Sequence, residues 1–123
     1  MVNNKKSFTM IEVLVTVIII AILSTLAVPA FRKTIKKSRE KLAVSNLKII
    51  MNAEKFYRAS YDRYWPCEDF EAINNNMDLD IEDKYFNYEV KTNGKYDFTA
   101  TATGKNETAD KYTIDPEGNV SHP

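Results

Sequence analysis

The most telling chemistry in this chain lies where polar groups meet an apolar run. Residues 5–12 read Lys-Lys-Ser-Phe-Thr-Met-Ile-Glu, and the stretch from Val13 to Phe31 that follows holds no charged residue. A carboxylate at the centre of an apolar span costs about 2.5–3.5 kcal/mol on insertion scales, and less near the interface. Glu12 therefore calls for a positive partner. A cut between Ser7 and Phe8 would create one, because the new α-amino group of Phe8 would lie one helical turn from Glu12. A neighbouring copy would offer the same amine. Such a pair would neutralise both charges inside an apolar packing and fix the axial register between copies. A carboxylate solvated at the level of lipid headgroups is the other reading of Glu12.

No other constellation rivals this one. The single histidine, His122, has no Ser/His/Asp or Cys/His arrangement around it, and three glycines form no phosphate-cradling loop. Cys67 is the one cysteine, between Pro66 and Glu68. An acidic setting raises a thiol pKa rather than activating it, and one cysteine closes no disulfide within the chain. An enzyme is not expected, and no cofactor is implied.

The elements that must position Glu12 follow from composition and pattern. At 123 residues and 14.1 kDa there is room for one head of ordinary size. Basic and acidic residues balance at 17 each, yet residues 1–61 carry net +8 and residues 62–123 net -8. Phe8 to Phe31 is 24 residues, about 36 Å as a helix, enough for a hydrocarbon core of about 30 Å. It is apolar on all faces, so it has no solvent side to offer a soluble domain. A secretory signal peptide has a shorter apolar run and does not carry a glutamate near its start. Arg32, Lys33, Lys36, Lys37, Arg39 and Lys41 follow the span, so a simple positive-inside count puts the C-terminal side in the cytoplasm.

From 32 to 61 the apolar residues keep helical spacing: Ala43, Leu47, Ile50, Tyr57 and Tyr61 on one stripe, with Ile49, Ala53 and Phe56 beside it. The spacing predicts one helix from near Phe8 to near Tyr61, interrupted only by Pro29, which kinks or loosens it. Tyr64-Trp65-Pro66 stops this helix, and Glu68 to Asn74 is a short helix or a loop. Strands are expected at 85–90, at 96–103 with Tyr96, Phe98, Ala100 and Ala102 on one face, and at 111–114, with Asn93-Gly94 as a hairpin turn. Three antiparallel strands need a cover for their apolar face, and the stripe on 43–61 is the one on offer. The fold class is α+β, a long N-terminal helix packed on a small antiparallel sheet.

The run KKS-FTMIEVLVTVIIIAILSTLAVPAF resembles the N-terminal signature of type IV pilins and of the pseudopilins of type II secretion. It has the short basic leader, the Phe8 start, Glu12 at the fifth place after the cut, and Pro29 within the helix. The resemblance continues less sharply to Tyr64-Trp65-Pro66 and is thin in the head. It departs from the pattern at Ser7, where the family usually has glycine, and at Cys67, where many pilins have a disulfide pair.

The resemblance implies four parts: a cleaved leader at 1–7, a membrane-spanning and filament-core helix at 8–31, an amphipathic half at 32–61 and a β head at 62–123. It implies cleavage between Ser7 and Phe8 by prepilin peptidase, N-methylation of Phe8, register set by Glu12 on the Phe8 amine, and flexibility at Pro29. The implied product is a homo-oligomeric helical filament, a pilus or a secretion pseudopilus. Its subunit waits as a single-pass protein in the bacterial inner membrane until an assembly platform lifts it out. The leader would lie in the cytoplasm and the head outside, against the simple count. A minor pilin, or a DNA-binding pilin used in uptake, is the alternative, although a basic run beside the span reads better as a packing belt than as a nucleic-acid site. Asp110, Asp115, Glu117 and Asn119 lie where relatives hold calcium, but a Pro-Glu-Gly turn and solvated acids explain them equally, so no metal is assigned. Asn106-Glu107-Thr108 fits a glycosylation sequon.

Overall fold

The computed structural model describes residues 7–105 and 110–122. The leader residues before Ser7, including Lys5 and Lys6, and the sequon at 106–108 lie outside the described residues. The elements in order are helix α1 (Met10–Tyr61), helix α2 (Phe70–Met77) and strands β1 (Phe86–Thr92), β2 (Phe98–Gly104), β3 (Lys111–Ile114) and β4 (Val120–Ser121). The chain divides into two compact units, Met1–Lys37 and Ser38–Pro123.

In the first unit α1 is exposed on every side. Each residue from Ser7 to Thr34 is open to the surroundings. Helical geometry continues through Pro29. The hydroxyls of the apolar stretch turn back onto their own helix: Thr16 Oγ1 donates to the Glu12 carbonyl at 2.7 Å, Ser24 Oγ to Ile20 at 2.7 Å and Thr25 Oγ1 to Ile22 at 2.6 Å. Such back-bonding satisfies a hydroxyl without a partner from outside. This is the one described helix long and apolar enough to cross a membrane.

In the second unit the later part of α1 contributes one face to a core shared with the sheet. Ala43, Leu47 and Ile50 are fully buried with Phe86, Tyr88 and Val90 of β1, Phe98, Ala100 and Ala102 of β2, and Tyr112 and Ile114 of β3. All pairings are antiparallel in the order β1-β2-β3-β4. Register sets Tyr88, Ala102 and Tyr112 in one row and Val90, Ala100 and Ile114 in the next. Bulky residues thus flank a central strand of alanines, which leaves a shallow trough for a helix face in the core.

Several expectations shift. A fourth strand, β4, extends the sheet beyond three. The hairpin signal at Asn93-Gly94 holds, with Gly94 at φ 85°, but the loop closes through Asn93 N to Asp97 O at 2.9 Å. Tyr96 is therefore a loop residue and 54% exposed, not part of the buried face. The segment after Glu68 is helical over Phe70–Met77, where Asp69 Oδ1 accepts from Ala72 N at 2.9 Å and caps the first turn. α1 ends at Tyr61, as the helical spacing predicts, but what stops it is Asp62, in the left-handed conformation at φ 57°, ahead of Tyr64-Trp65-Pro66.

The buried stripe also differs. The face of α1 against the core is Ala43, Asn46, Leu47, Ile50 and Glu54. Tyr57 is half-buried, and Tyr61, Ile49 and Phe56 are exposed. Trp65 and Tyr61 pack on Tyr57, with ring centres at 5.2 and 4.6 Å, so aromatic contact replaces core burial there.

Candidate assembly site at the start of the apolar helix

Phe8 and Glu12 sit at the entry to α1, both exposed, with Phe8 at 82%. Thr9 is the residue that organises them. Its Oγ1 accepts from Glu12 N at 3.2 Å, and its own N–H donates to Glu12 Oε2 at 3.3 Å. The two bonds form a capping box, Thr-x-x-Glu, in which two otherwise orphaned N–H groups at the helix start are satisfied reciprocally. Glu12 also lies where the helix dipole favours negative charge.

Sequence reasoning missed Thr9, although the spacing Thr9-Met10-Ile11-Glu12 carries the signal. The capping box gives Glu12 a role within its own helix. Its Oε1 makes no hydrogen bond among the described residues, so one oxygen stays open to a further donor.

Ser7 is described and exposed just before Phe8. Pro29 lies inside α1, where its missing N–H leaves one backbone carbonyl without its usual partner. Of the basic residues after the span, Arg32, Lys33, Lys36, Lys37 and Lys41 are exposed. Arg39 differs, because its guanidinium lies 3.7 Å from the centre of the Tyr85 ring. Burial, together with a hydrogen bond to Glu40, pushes the Tyr112 hydroxyl up to about 12. Arg39 and Glu40 are therefore tied into the head.

The head holds a buried polar set that the sequence did not announce. Glu54 is fully buried, its Oε2 accepts from Trp65 N at 2.8 Å, and its Oε1 has no hydrogen-bond partner among the described residues. Burial pushes its carboxyl up to about 7, against the opposing pull of the Trp65 N–H. Cys67 is buried beside it and bridges Val90 through two backbone bonds, at 3.0 and 2.7 Å. Burial first, and Glu54 next, push the thiol up to about 11. The direction matches the sequence reading, but burial is the main cause. Asn46 Nδ2 donates to Tyr88 OH at 3.1 Å, and Tyr88 OH donates to Asp83 Oδ2 at 2.6 Å, so these polar groups are matched inside the core.

Asp115 accepts from Asn119 N at 2.8 Å and from Asn119 Nδ2 at 2.9 Å, which commits it to closing its own turn. Among the described residues no three His, Cys, Asp or Glu side chains converge as metal ligands.

A long N-terminal helix, apolar in its first stretch and joined to a helix-on-sheet head, is a pilin-like α+β architecture. Residues 2–28 match the family described as the prokaryotic N-terminal methylation motif. The chain carries that motif, and part of it is similar to a type IV pilin. Over 61 residues it is 39% identical to the type IV major pilin protein PilA of Myxococcus xanthus (strain DK1622), a stretch that is 50% of this chain and 28% of that relative. The chain thus aligns with less than a third of that relative's length. No solved structure matches the chain.

Proposed function

We propose that this chain is a structural subunit of a type IV pilus-like filament, assembled through its N-terminal helix. The observation that carries the reading is the charge-free stretch Val13 to Phe31. It is exposed on all sides of a helix that opens with the methylation motif. Such a surface is stable in lipid or against other surfaces like itself, and in water it is not. Prepilin peptidase cuts between Ser7 and Phe8, and Phe8 is then N-methylated. The subunit waits in the inner membrane with its head outside the cytoplasm. An assembly platform lifts it out, and the apolar helices exchange lipid for one another. Glu12 keeps its capping bond and offers its second oxygen to the Phe8 amine of an adjacent copy. Pro29, with one backbone bond missing, is the point at which the helix loosens.

The lone buried Cys67 favours a secretion pseudopilus, or a short pilin without a disulfide, over a disulfide-closed pilin. Shearing of intact cells separates the two, since a pilus enters the sheared fraction and a periplasmic pseudopilus does not.

Intact mass and N-terminal fragmentation of the native chain test the core of the reading. An N-methylated Phe8 start is expected, and an intact Met1 would overturn it. Glu12→Ala should leave cutting and insertion intact and abolish or weaken filaments. Unchanged filament yield would remove Glu12 from assembly.

A further inference from the structure

Leu42, Ile49 and Phe56 recur every seven residues on α1 and are 44%, 43% and 76% exposed. Ser45, Asn52 and Ala59 stand three residues after each in turn. The pattern is a stripe of apolar and small residues at the spacing of a helix seam. It lies away from Ala43, Leu47 and Ile50, the face that α1 gives to its own core, so it has no use inside the head.

The two edges of this stripe are unlike. At about 100° per residue, Lys41, Lys48 and Lys55 form a parallel row along one edge. All three are exposed, and among the described residues none is in an ion pair. On the other edge, Ile49, Ala53 and Phe56 line a groove of about 580 Å³ whose far wall is Met77, Asp78 and Leu79. That wall belongs to the segment 64–83, which carries seven acids and no lysine or arginine. Two of the seven are engaged within the head. Asp69 caps α2, and Asp83 accepts from Tyr85 N, Phe86 N and Tyr88 OH. Glu68, Glu71, Asp78, Asp80 and Glu82 are exposed.

We propose that this face of the head docks a second copy of the same chain, with the lysine row of one copy set against the acidic segment of the next. The choice of occupant rests on charge: the stripe has a lysine row on one side and Asp78, within the acidic segment, on the other, and among the described residues neither the lysines nor these exposed acids are in an ion pair. Within the filament read above the contact is heterologous, the lysine edge of each copy meeting the acidic edge of the next, so that it propagates from copy to copy rather than closing on itself. The apolar stripe supplies the area. The charges contribute little singly and set direction and register instead. The inference rests on the filament reading above and names the head surfaces that meet within it.

The test uses the full chain in cells. One copy carries Lys48→Cys and a co-expressed copy carries Asp80→Cys, so a disulfide between them is intermolecular by construction. Mild oxidation should give the mixed dimer. Pairing Lys48→Cys with Asp97→Cys, an exposed position on the hairpin loop, should not. Lys48→Glu with Lys55→Glu should lower the yield of assembled filament, on the surface or in the periplasm, at least tenfold, and adding Asp78→Lys with Asp80→Lys should restore part of it. Normal filaments from the double glutamate variant, with no mixed dimer, would overturn the docking and leave the filament reading intact. A link from Lys48→Cys to a different protein would overturn it as well. Failure of the unaltered chain to form filaments, with the mixed dimer still present, would sink the filament reading and keep this contact.

Discussion

The two stretches of α1 obey different rules although they share one helix. Before Lys37 every apolar side chain of α1 but Ile35 is exposed, and the threonine and serine hydroxyls bond to their own backbone. After Ser38 one face is fully buried against a sheet, and that face includes an amide and a carboxyl. The first stretch is specified by composition alone: apolar all round, indifferent to rotation. The second is specified side chain by side chain, because each residue meets a particular neighbour. A helix can therefore be legible in sequence as a helix and still hide which of its residues matter.

The contrast can be broken most strongly at the core. Leu47 is fully buried, so Leu47→Ala should lower head stability by about 2–5 kcal/mol through lost burial and a residual cavity. Leu23, 59% exposed in the apolar stretch, should give no change in head unfolding when replaced by alanine. Thermal unfolding of both variants in the same detergent makes the comparison, and equal shifts would mean the two stretches are not independent.

The reverse experiment places a charge in the apolar stretch. Ile20→Lys should cost about 2.5–3.5 kcal/mol of insertion, read as a shift from the membrane to the soluble or degraded fraction. Near-UV circular dichroism of the head should not change.

Glu54 sharpens the difference through pH. Its folded carboxyl titrates near 7, above its ordinary value of 4.5. The unfolded chain binds that proton more weakly, so the stabilisation is fully present below about 4.5 and is lost as pH rises through about 7. Head stability should fall by about 3 kcal/mol between pH 4.5 and pH 8, followed by chemical denaturation. Glu54→Gln should flatten that dependence, and a head equally stable across the range would show that Glu54 is ionised throughout.

The smallest effect is expected at the cap. Thr9→Ala removes one half of the reciprocal pair with Glu12 and should cost about 1 kcal/mol of local helix stability. Faster amide exchange at Ile11 and Glu12, with none at Leu47, would register it.

The architecture was readable because its signals are long or repeated. A charge-free run, a break-free helical spacing and alternation around Asn93-Gly94 each average over many residues. The misses are single residues whose neighbours come from far along the chain. Asn46 is buried because Tyr88, forty-two positions later, offers its hydroxyl. Glu54 is buried because the chain after α1 folds back to place the Trp65 N–H beside it. Tyr61 and Tyr96 are apolar enough for a core and are left outside by a left-handed Asp62 and a wider hairpin loop. At the helix start the Phe8 and Glu12 signature was visible, whereas Thr9 passed for part of the apolar run.

The inward-turned hydroxyls of Thr16, Ser24 and Thr25 have one more consequence. In the filament proposed above, they leave neighbouring rods without a lateral polar handle in that region, so the rods glide or swivel past each other with little penalty, as greased shafts do. Tension on that proposed bundle would be resisted at its ends, by the proposed Glu12 contacts and by the heads, while the middle yields and recovers.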